Sequence, residues 1–318
     1  MWRNIYYDAK DESIQIWTWD EDGNRTKIVS SFEPYLYVES SDAVDGVSIF
    51  GTKLKKLKFK NQFERSKFVN GSPIYRLFHN LNVEQQYLLD VYKRSTDVQD
   101  FSKNKLKIFY IDIETYGKDG FSTPEEARDP INLITIYDSL SEKYYTWGLG
   151  GSYTPKNANE TYIKCSNEEI LLKKFLEFWE NDYPDVVTGW NICGYDIPYI
   201  INRITLIFDD QEAKRLSPVS KLRFIENASV NKLGRSMDRW HICGVSILDY
   251  MEVYKTFSLG DRESYSLNYI AEYELEDSKI AYIASSLADL ADQDWNTFVD
   301  YNIQDVKLLI KLEDKLKF

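Results

Sequence analysis

The sequence predicts an α/β protein in which a mixed sheet is flanked by helices and preceded by a smaller β-rich domain. Residues 1–100 contain short runs of aromatic and β-branched residues, which are typical of strands. Residues 107–116 form a nearly continuous apolar run, as expected for a strand covered on both faces. After that run, predicted strands give way to a helix, then to a strand and a helix again, an order typical of a sheet layered with helices.

In the first hundred residues, three runs rich in aromatic and β-branched residues predict strands, at 5–10, 13–20 and 27–39. Asp22-Gly23-Asn24 predicts a hairpin turn, and residues 82–95 predict a helix. A lysine-rich run at 53–60 fits a solvated amphipathic strand, and it also fits a patch that contacts phosphate groups.

Beyond residue 116, strands are predicted at 131–139, 143–149, 185–190 and 246–250, and helices at 170–181, 197–204 and 295–317. Leu140-Ser141-Glu142 would turn the chain between the first two of these strands. Ser166 and Glu169 have the spacing of a capping box at the start of helix 170–181. Residues 222–242 predict a β-hairpin that turns at 231–234.

Composition favours a globular protein of two domains. The chain has 318 residues, of which 43% are hydrophobic and 28% charged. We expect one domain at 1–103 and a second at 104–318, with the polar stretch 97–105 as the junction. No apolar run approaches the roughly 20 residues that span a membrane, and the polar start does not resemble a signal peptide. We therefore expect a cytoplasmic protein, in the host cytoplasm if it is viral.

The cysteine and histidine content and the distribution of charge limit the kinds of site that the chain can form. Three cysteines without CxxC spacing fit free thiols in a reducing compartment, and two distant histidines argue against a zinc site or a Ser-His-Asp triad. Residues 1–100 carry 14 Lys and Arg against 15 Asp and Glu, whereas residues 101–318 carry 25 against 36. An acidic segment fits a site of carboxylates around divalent cations, and it fits a generic acidic surface equally well.

Two carboxylates interrupt the apolar strand 107–116. Asp112 and Glu114 are two residues apart, so both project from one face of the strand. Charges in an apolar strand are costly unless a partner compensates them, and a cation would do so. The alternative is a strand end at which both side chains face water.

Asp196 and Asp305 complete a set of four carboxylates. Asp196 stands where a loop becomes a helix, with Pro198 in the permitted first turn, and a plain N-cap is its simpler explanation. Tyr301 and Asp305 lie four residues apart on one helical face, where an exposed aspartate is the alternative. Four carboxylates can hold two hard divalent ions through oxygen ligands, and a neighbouring tyrosine can orient an attacking water.

The order of these segments, DIE on a strand, NICGYD before a helix and YNIQD on a helix, resembles the three motifs of the DEDDy group of 3′→5′ exonucleases. More broadly, the chain resembles the front part of family B DNA polymerases of T-even bacteriophage type. The resemblance is strong over residues 101–318, including TGWN at 188–191, VSILDY at 245–250 and YSLNYI at 265–270, and weak over 1–100.

The resemblance implies an RNase H-like exonuclease domain that uses two Mg²⁺ or Mn²⁺ ions to remove nucleotides from the single-stranded 3′ end of a DNA primer. It implies that Asp112 bridges both metals, that Glu114 and Asp305 hold one, and that Asp196 holds the other. By the same resemblance, Tyr301 orients the nucleophile and Lys279 assists. The hairpin 222–242 would help to part the primer from its template.

No SLYPS-like or DTD-like polymerase motif occurs in the sequence. We therefore expect this chain to work with a separate polypeptide that carries the palm, fingers and thumb, together with other replication proteins. One alternative is a self-sufficient exonuclease or a truncated fragment. Another is a non-catalytic scaffold that retains the fold for assembly.

Overall fold

The structure is a computed structural model of the chain. It describes residues 2–41, 45–73, 77–93, 104–118, 120, 122–230 and 236–318, and the side chains of 227–230 and 236–237 are not described. The chain divides into two compact units, Met1–Lys105 and Leu106–Phe318. The predicted junction 97–105 and the predicted turn 231–234 fall mostly or wholly outside the described residues. No described helix combines the length and the apolar character that crossing a membrane requires.

The first unit is β-rich, as predicted. Its elements are β1 (Trp2–Asp8), β2 (Ser13–Trp19), β3 (Arg25–Ser31), β4 (Tyr35–Glu39), β5 (Gly46–Val47), β6 (Lys53–Lys58), α1 (Gln62–Gly71), β7 (Leu77–Phe78) and α2 (Val83–Tyr92). Among the described residues the strands form two sheets, ordered β1-β2-β3 and β5-β6-β4-β7. The predicted turn lies between β2 and β3, where Gly23 adopts a φ of +85°.

Two features of this unit differ from a simple strand pattern. The predicted strand 27–39 is split at residues 32–34 into β3 and β4, which belong to different sheets, because Pro34 has no N–H to extend a ladder. The lysine-rich run forms β6, in which Lys56 pairs with Asp90 at 3.3 Å and lies over the ring of Tyr35. Contact with phosphate remains a prediction.

The second unit is built on a six-stranded mixed sheet, ordered β11-β10-β9-β8-β12-β15. The strands are β8 (Ile108–Thr115), β9 (Ile131–Asp138), β10 (Lys143–Leu149), β11 (Glu160–Cys165), β12 (Val186–Gly189) and β15 (Ser246–Asp249). β9 is antiparallel to both of its neighbours, whereas the pairs β10–β11, β8–β12 and β12–β15 are parallel. The predicted hairpin is confirmed as β13 (Leu222–Val230) and β14 (Ser236–Ile242).

Helices cover both faces of this sheet, as predicted. They are α3 (Glu168–Asn181), α4 (Asp196–Ile207), α5 (Asp210–Ala213), α6 (Tyr250–Phe257), α7 (Leu267–Leu275), α8 (Leu287–Gln293) and α9 (Trp295–Leu316). Phe109 and Ile111 of β8 pack in one core with α3 and α4, while Tyr110 packs in another with α6, α7 and α9. Because side chains alternate along a strand, Asp112 and Glu114 project toward the α9 side.

The predicted capping box of α3 is wrong. Asn167, not Ser166, is the N-cap, and its side chain accepts a hydrogen bond from the backbone N–H of Ile170 at 2.9 Å. Asn167 has the extended backbone typical of an N-cap, and its short amide reaches the third residue of the helix. Glu168 is thereby left to pair with Arg203 of α4 at 2.6 Å.

Candidate active site

The C-terminal half of β8 carries the first two carboxylates of the site. Asp112 is half-buried and Glu114 is buried, while Ile113 between them points into the opposite core. The two carboxylates therefore share one face of the strand because of its two-residue period. They do not face bulk water at a strand end, which was the simpler alternative.

Helix α9 supplies the third carboxylate. Asp305 is 2% exposed, and its carboxylate, together with those of Asp112 and Glu114, forms a group whose ligand oxygens lie within 4.8 Å of one another. Tyr301, one helical turn earlier, lies beside this group and lines the same cleft. Asp305 is thus not the exposed aspartate of an ordinary amphipathic helix.

Asp196 approaches from the opposite side of β8. It is the first residue of α4 and is 4% exposed, and its Oδ1 accepts a hydrogen bond from the backbone N–H of Ile113 at 3.1 Å. That bond fixes its carboxylate to the strand between Asp112 and Glu114. Tyr195 occupies the N-cap position without a side-chain cap, so Asp196 is not a plain N-cap. Among the described residues, the group within 4.8 Å does not include Asp196.

Burial makes all four carboxyl groups hard to ionise, and repulsion within the group adds to this for Asp112 and Glu114. Burial, with repulsion from Asp305, Asp196 and Glu114, raises the pKa of Asp112 well above its usual range. Burial, followed by the charge of Asp305, raises the pKa of Glu114 to about 8. Burial also raises the pKa of Asp196 to about 7 and that of Asp305 above its usual range. Added positive charge would therefore stabilise the group.

Lys279 provides part of that charge. Its ammonium group forms an ion pair with Asp305 and donates a hydrogen bond to the Tyr301 hydroxyl at 3.1 Å. Burial opposes its charge, but attraction to Asp305 and Asp112 outweighs burial and raises the pKa of Lys279. The structure thus brings Lys279, like the five other predicted residues, to the same locality.

The ammonium group of Lys279 does not provide partners for all of the carboxylate oxygens. Asp305 Oδ1 is buried, and it has no hydrogen-bond partner among the described residues. Its other oxygen is taken by Lys279. A cluster of hard carboxylate oxygens with an unpaired buried oxygen and raised pKa values fits a divalent cation that prefers oxygen ligands.

A cleft of about 640 Å³ opens over the carboxylates. Its wall includes Tyr195, and also Tyr282, whose ring meets Tyr301 edge-on with centroids 5.7 Å apart. Thr115 also lines it, and its hydroxyl lies 3.1 Å from that of Tyr195. The acidic group therefore lies at an accessible, aromatic-walled cleft rather than in a closed core.

Comparison with known families gives this acidic cleft a context. The family described as DNA polymerase family B, exonuclease domain, matches residues 63–270. The chain belongs to this family. The predicted resemblance to family B polymerases is thereby confirmed. The match includes Asp112, Glu114 and Asp196, and it ends before Tyr301 and Asp305.

Similarity to the DNA polymerases of two phages confirms the T-even phage part of the predicted resemblance. The DNA-directed DNA polymerase of Escherichia phage RB69 is 30% identical, over 94% of this chain and 35% of the relative. That of Enterobacteria phage T4 is 29% identical, over 68% of this chain and 26% of the relative. The DNA polymerase delta catalytic subunit of Caenorhabditis elegans is 28% identical, over 66% and 20%. The chain thus spans about a third or less of the length of these curated relatives.

Sequence reasoning missed one member of this family B site. Asn302 is fully buried on α9, and its Nδ2 donates a hydrogen bond to Asp112 Oδ2 at 2.6 Å. It orients one oxygen of a carboxylate that is 190 positions away in the chain. No local pattern singles it out, because Asp300, Gln304 and Asp305 beside it are also polar. A buried amide requires a polar partner, but the burial of Asn302 is visible only in the fold.

Proposed function

We propose that this chain is the proofreading 3′→5′ exonuclease portion of a family B DNA polymerase, acting in phage DNA replication in the host cytoplasm. The observation that carries the proposal is the convergence of Asp112, Glu114 and Asp305 within 4.8 Å at an open cleft. Membership of the exonuclease-domain family and the names of the phage relatives support it. On this proposal residues 104–318 are the exonuclease domain, and residues 1–103 are the N-terminal domain of the polymerase.

The proposed cofactor is a pair of Mg²⁺ or Mn²⁺ ions. Asp112 would be shared by both ions, Glu114 and Asp305 would hold one, and Asp196 would hold the other. The raised pKa values of these carboxyl groups and the unpaired Asp305 Oδ1 support this set of ligands. When bound, two such ions stabilise the charge on the attacking and leaving oxygens of a phosphodiester.

Tyr301 is the residue proposed to orient the attacking water. Its hydroxyl oxygen accepts a hydrogen bond from Lys279, so its own proton remains available to an oxygen in the cleft. Burial, with the charge of Asp305, raises the pKa of Tyr301 to about 12, so the phenol stays protonated at neutral pH. Lys279 thereby holds both the tyrosine and Asp305 in position.

The proposed substrate is a single-stranded 3′ end. A paired terminal nucleotide would have to leave its helix to reach buried carboxylates, which costs a few kcal/mol and least at a mismatch. Tyr195 and Tyr282 give the cleft an aromatic wall, and aromatic side chains bind unpaired bases by stacking. This preference for frayed ends is the physical basis of proofreading.

The polymerase activity named in the relatives is proposed to come from a separate polypeptide, with other replication proteins. No palm motif is recognisable in these 318 residues, so they do not themselves account for a polymerase activity. The test is primer extension by the purified chain, alone and after co-purification with candidate palm-bearing proteins. Nucleotide incorporation by this chain alone would exclude the assignment.

The exonuclease proposal is tested on a single-stranded DNA labelled at its 5′ end. We expect stepwise shortening from the 3′ end in Mg²⁺, and none in EDTA. The variant Asp112→Asn keeps the shape of the side chain but removes the charge shared by both ions, so it should be inactive and folded. Shortening that persists in EDTA, or in Asp112→Asn, contradicts the assignment. A wild-type chain that binds DNA and never cleaves it would favour the scaffold alternative.

A further inference from the structure

Asp249 is a buried carboxylate outside the predicted site. It ends β15 and is 4% exposed. Its Oδ1 accepts hydrogen bonds from the backbone N–H groups of Met251 at 3.1 Å and Glu252 at 3.4 Å, which caps α6. Capping of α6 therefore involves only Oδ1, and it leaves Oδ2 unexplained.

The same carboxylate also holds the loop that precedes α4. Oδ1 accepts a third hydrogen bond from Asn191 N–H at 3.2 Å, and Oδ2 accepts one from Cys193 N–H at 3.0 Å. Asp249 therefore joins the end of β15 to the loop between β12 and α4. That loop ends at Asp196, three residues after Cys193.

The loop adopts a conformation that needs such support. Asn191 has a φ of +62°, in the left-handed region that most side chains avoid. Gly189 precedes it, and a Cβ there would lie 2.5 Å from the carbonyl oxygen of Ile111 and 2.2 Å from Ile192. The end of β12, from which the loop starts, is therefore packed closely against β8, and the loop leads directly from there to Asp196.

We propose that Asp249 is a positioning residue, which fixes the loop 190–195 so that the Asp196 carboxylate stays bonded to Ile113 N–H between Asp112 and Glu114. The inference rests on the proposed function, in which Asp196 holds one of the two ions. Asp249 does not itself touch the substrate or the reacting atoms. It acts through the loop, in the way that groups behind metal ligands orient those ligands.

Asp249→Asn separates the two tasks of this side chain. An asparagine has one acceptor oxygen, and it caps helices as well as aspartate does. With that oxygen toward Met251, Glu252 and Asn191, its amide N–H₂ would face the N–H of Cys193, so that the bond to Cys193 alone is lost. Asp209→Asn is the matched control, because Asp209 is an exposed N-cap that accepts from Gln211 and Glu212 N–H.

The experiment uses the full chain and three measurements. Hydrogen exchange of the metal-free protein reports on residues 190–196, Mn²⁺ titration followed by electron paramagnetic resonance reports on ion binding, and single-stranded DNA digestion gives kcat and KM. For Asp249→Asn we expect faster exchange in that segment, weaker binding of one Mn²⁺ and a lower kcat, the last two by about 10–100-fold. KM for DNA should stay within about twofold, and Asp209→Asn should match the wild type.

A double-mutant cycle completes the test. If Asp249 acts through Asp196, then adding Asp249→Asn to Asp196→Ala should weaken Mn²⁺ binding no further. Unchanged Mn²⁺ affinity and unchanged exchange at 190–196 in Asp249→Asn would overturn the inference and leave Asp249 as a helix cap. So would additive losses in the cycle. A wild-type chain that does not digest DNA would instead contradict the proposed function. Hydrogen exchange at residues 190–196 would still test the positioning role of Asp249 in that case.

Discussion

Replacing Glu114 by Gln should stabilise the metal-free protein while it abolishes hydrolysis. Burial, followed by repulsion from Asp305, raises the pKa of Glu114 from 4.5 to about 8. The folded chain thus holds this proton more tightly than the unfolded chain does. The stability from that proton is fully present below pH 4.5, and it is lost as the pH rises toward 8. Glutamine is uncharged at every pH, so the variant does not lose it.

The magnitude follows from the two pKa values. One unit of pKa difference corresponds to about 1.4 kcal/mol, so the interval from 4.5 to neutral pH gives about 3 kcal/mol at pH 7. Burying the glutamine amide in place of a carboxyl group lowers the free energy of unfolding by about 1 kcal/mol. The net gain of about 2 kcal/mol corresponds to a rise of about 4–8 °C in the midpoint of thermal unfolding for a unit of this size.

Scanning calorimetry in EDTA at pH 5 and pH 7 measures this gain. The midpoint of thermal unfolding of the variant should be higher than that of the wild type at pH 7 and equal to it near pH 5. Saturating Mg²⁺ should shrink or reverse the difference in midpoint, because an ion at a hundred times its Kd stabilises the wild type by about 2.7 kcal/mol and the variant, which lacks one charged ligand, by less. Glu177→Gln, at an exposed position of α3, is the control and should change neither midpoint. A Glu114→Gln variant that is no more stable than the wild type at pH 7 would refute the reasoning.

Three further outcomes are expected. Asn302→Leu removes the donor to Asp112, so kcat should fall about 10–100-fold while KM for DNA changes little, as steady-state kinetics would reveal. Lys279 lowers the pKa values of Glu114 and Asp305, so Lys279→Met should move the rise of kcat/KM with pH to higher pH at limiting Mg²⁺; an unmoved profile would exclude this role. Duplex ends with a terminal mismatch should be shortened faster than matched ends, and equal rates would argue against proofreading.

The N-terminal unit illustrates where local patterns fail. Strands β1 to β4 follow aromatic and β-branched runs, and these were predictable. Helix α1 was not predicted, because its buried anchor is a charged residue rather than an apolar stripe. Arg65 is 5% exposed, and its guanidinium donates hydrogen bonds to the carbonyl oxygens of Tyr35 at 2.9 Å, His79 at 2.6 Å and Leu81 at 3.1 Å. These partners lie 14 to 30 positions away, beyond any helical period.

In the second unit, a sheet layered with helices and the acidic residues of the site were predictable from local patterns, whereas the edge strand β11 and the strand order were not. The two-residue period of β8 puts Asp112 and Glu114 on one face, and the four-residue spacing of Tyr301 and Asp305 puts them on one face of α9. Both are properties of a single regular element. They hold whatever that element packs against, and spacing is therefore sufficient to predict them.

The other side chains that support those carboxylates are set by how the helices and strands pack. Asn302 reaches Asp112 across 190 positions, and Asp249 reaches Cys193 across 56. Each of these bonds depends on how α9 or β15 packs beside its neighbour, and no local period encodes that packing. A buried polar group must find a partner wherever the fold supplies one. The partner is thus fixed by the assembled core, and not by the sequence around either residue.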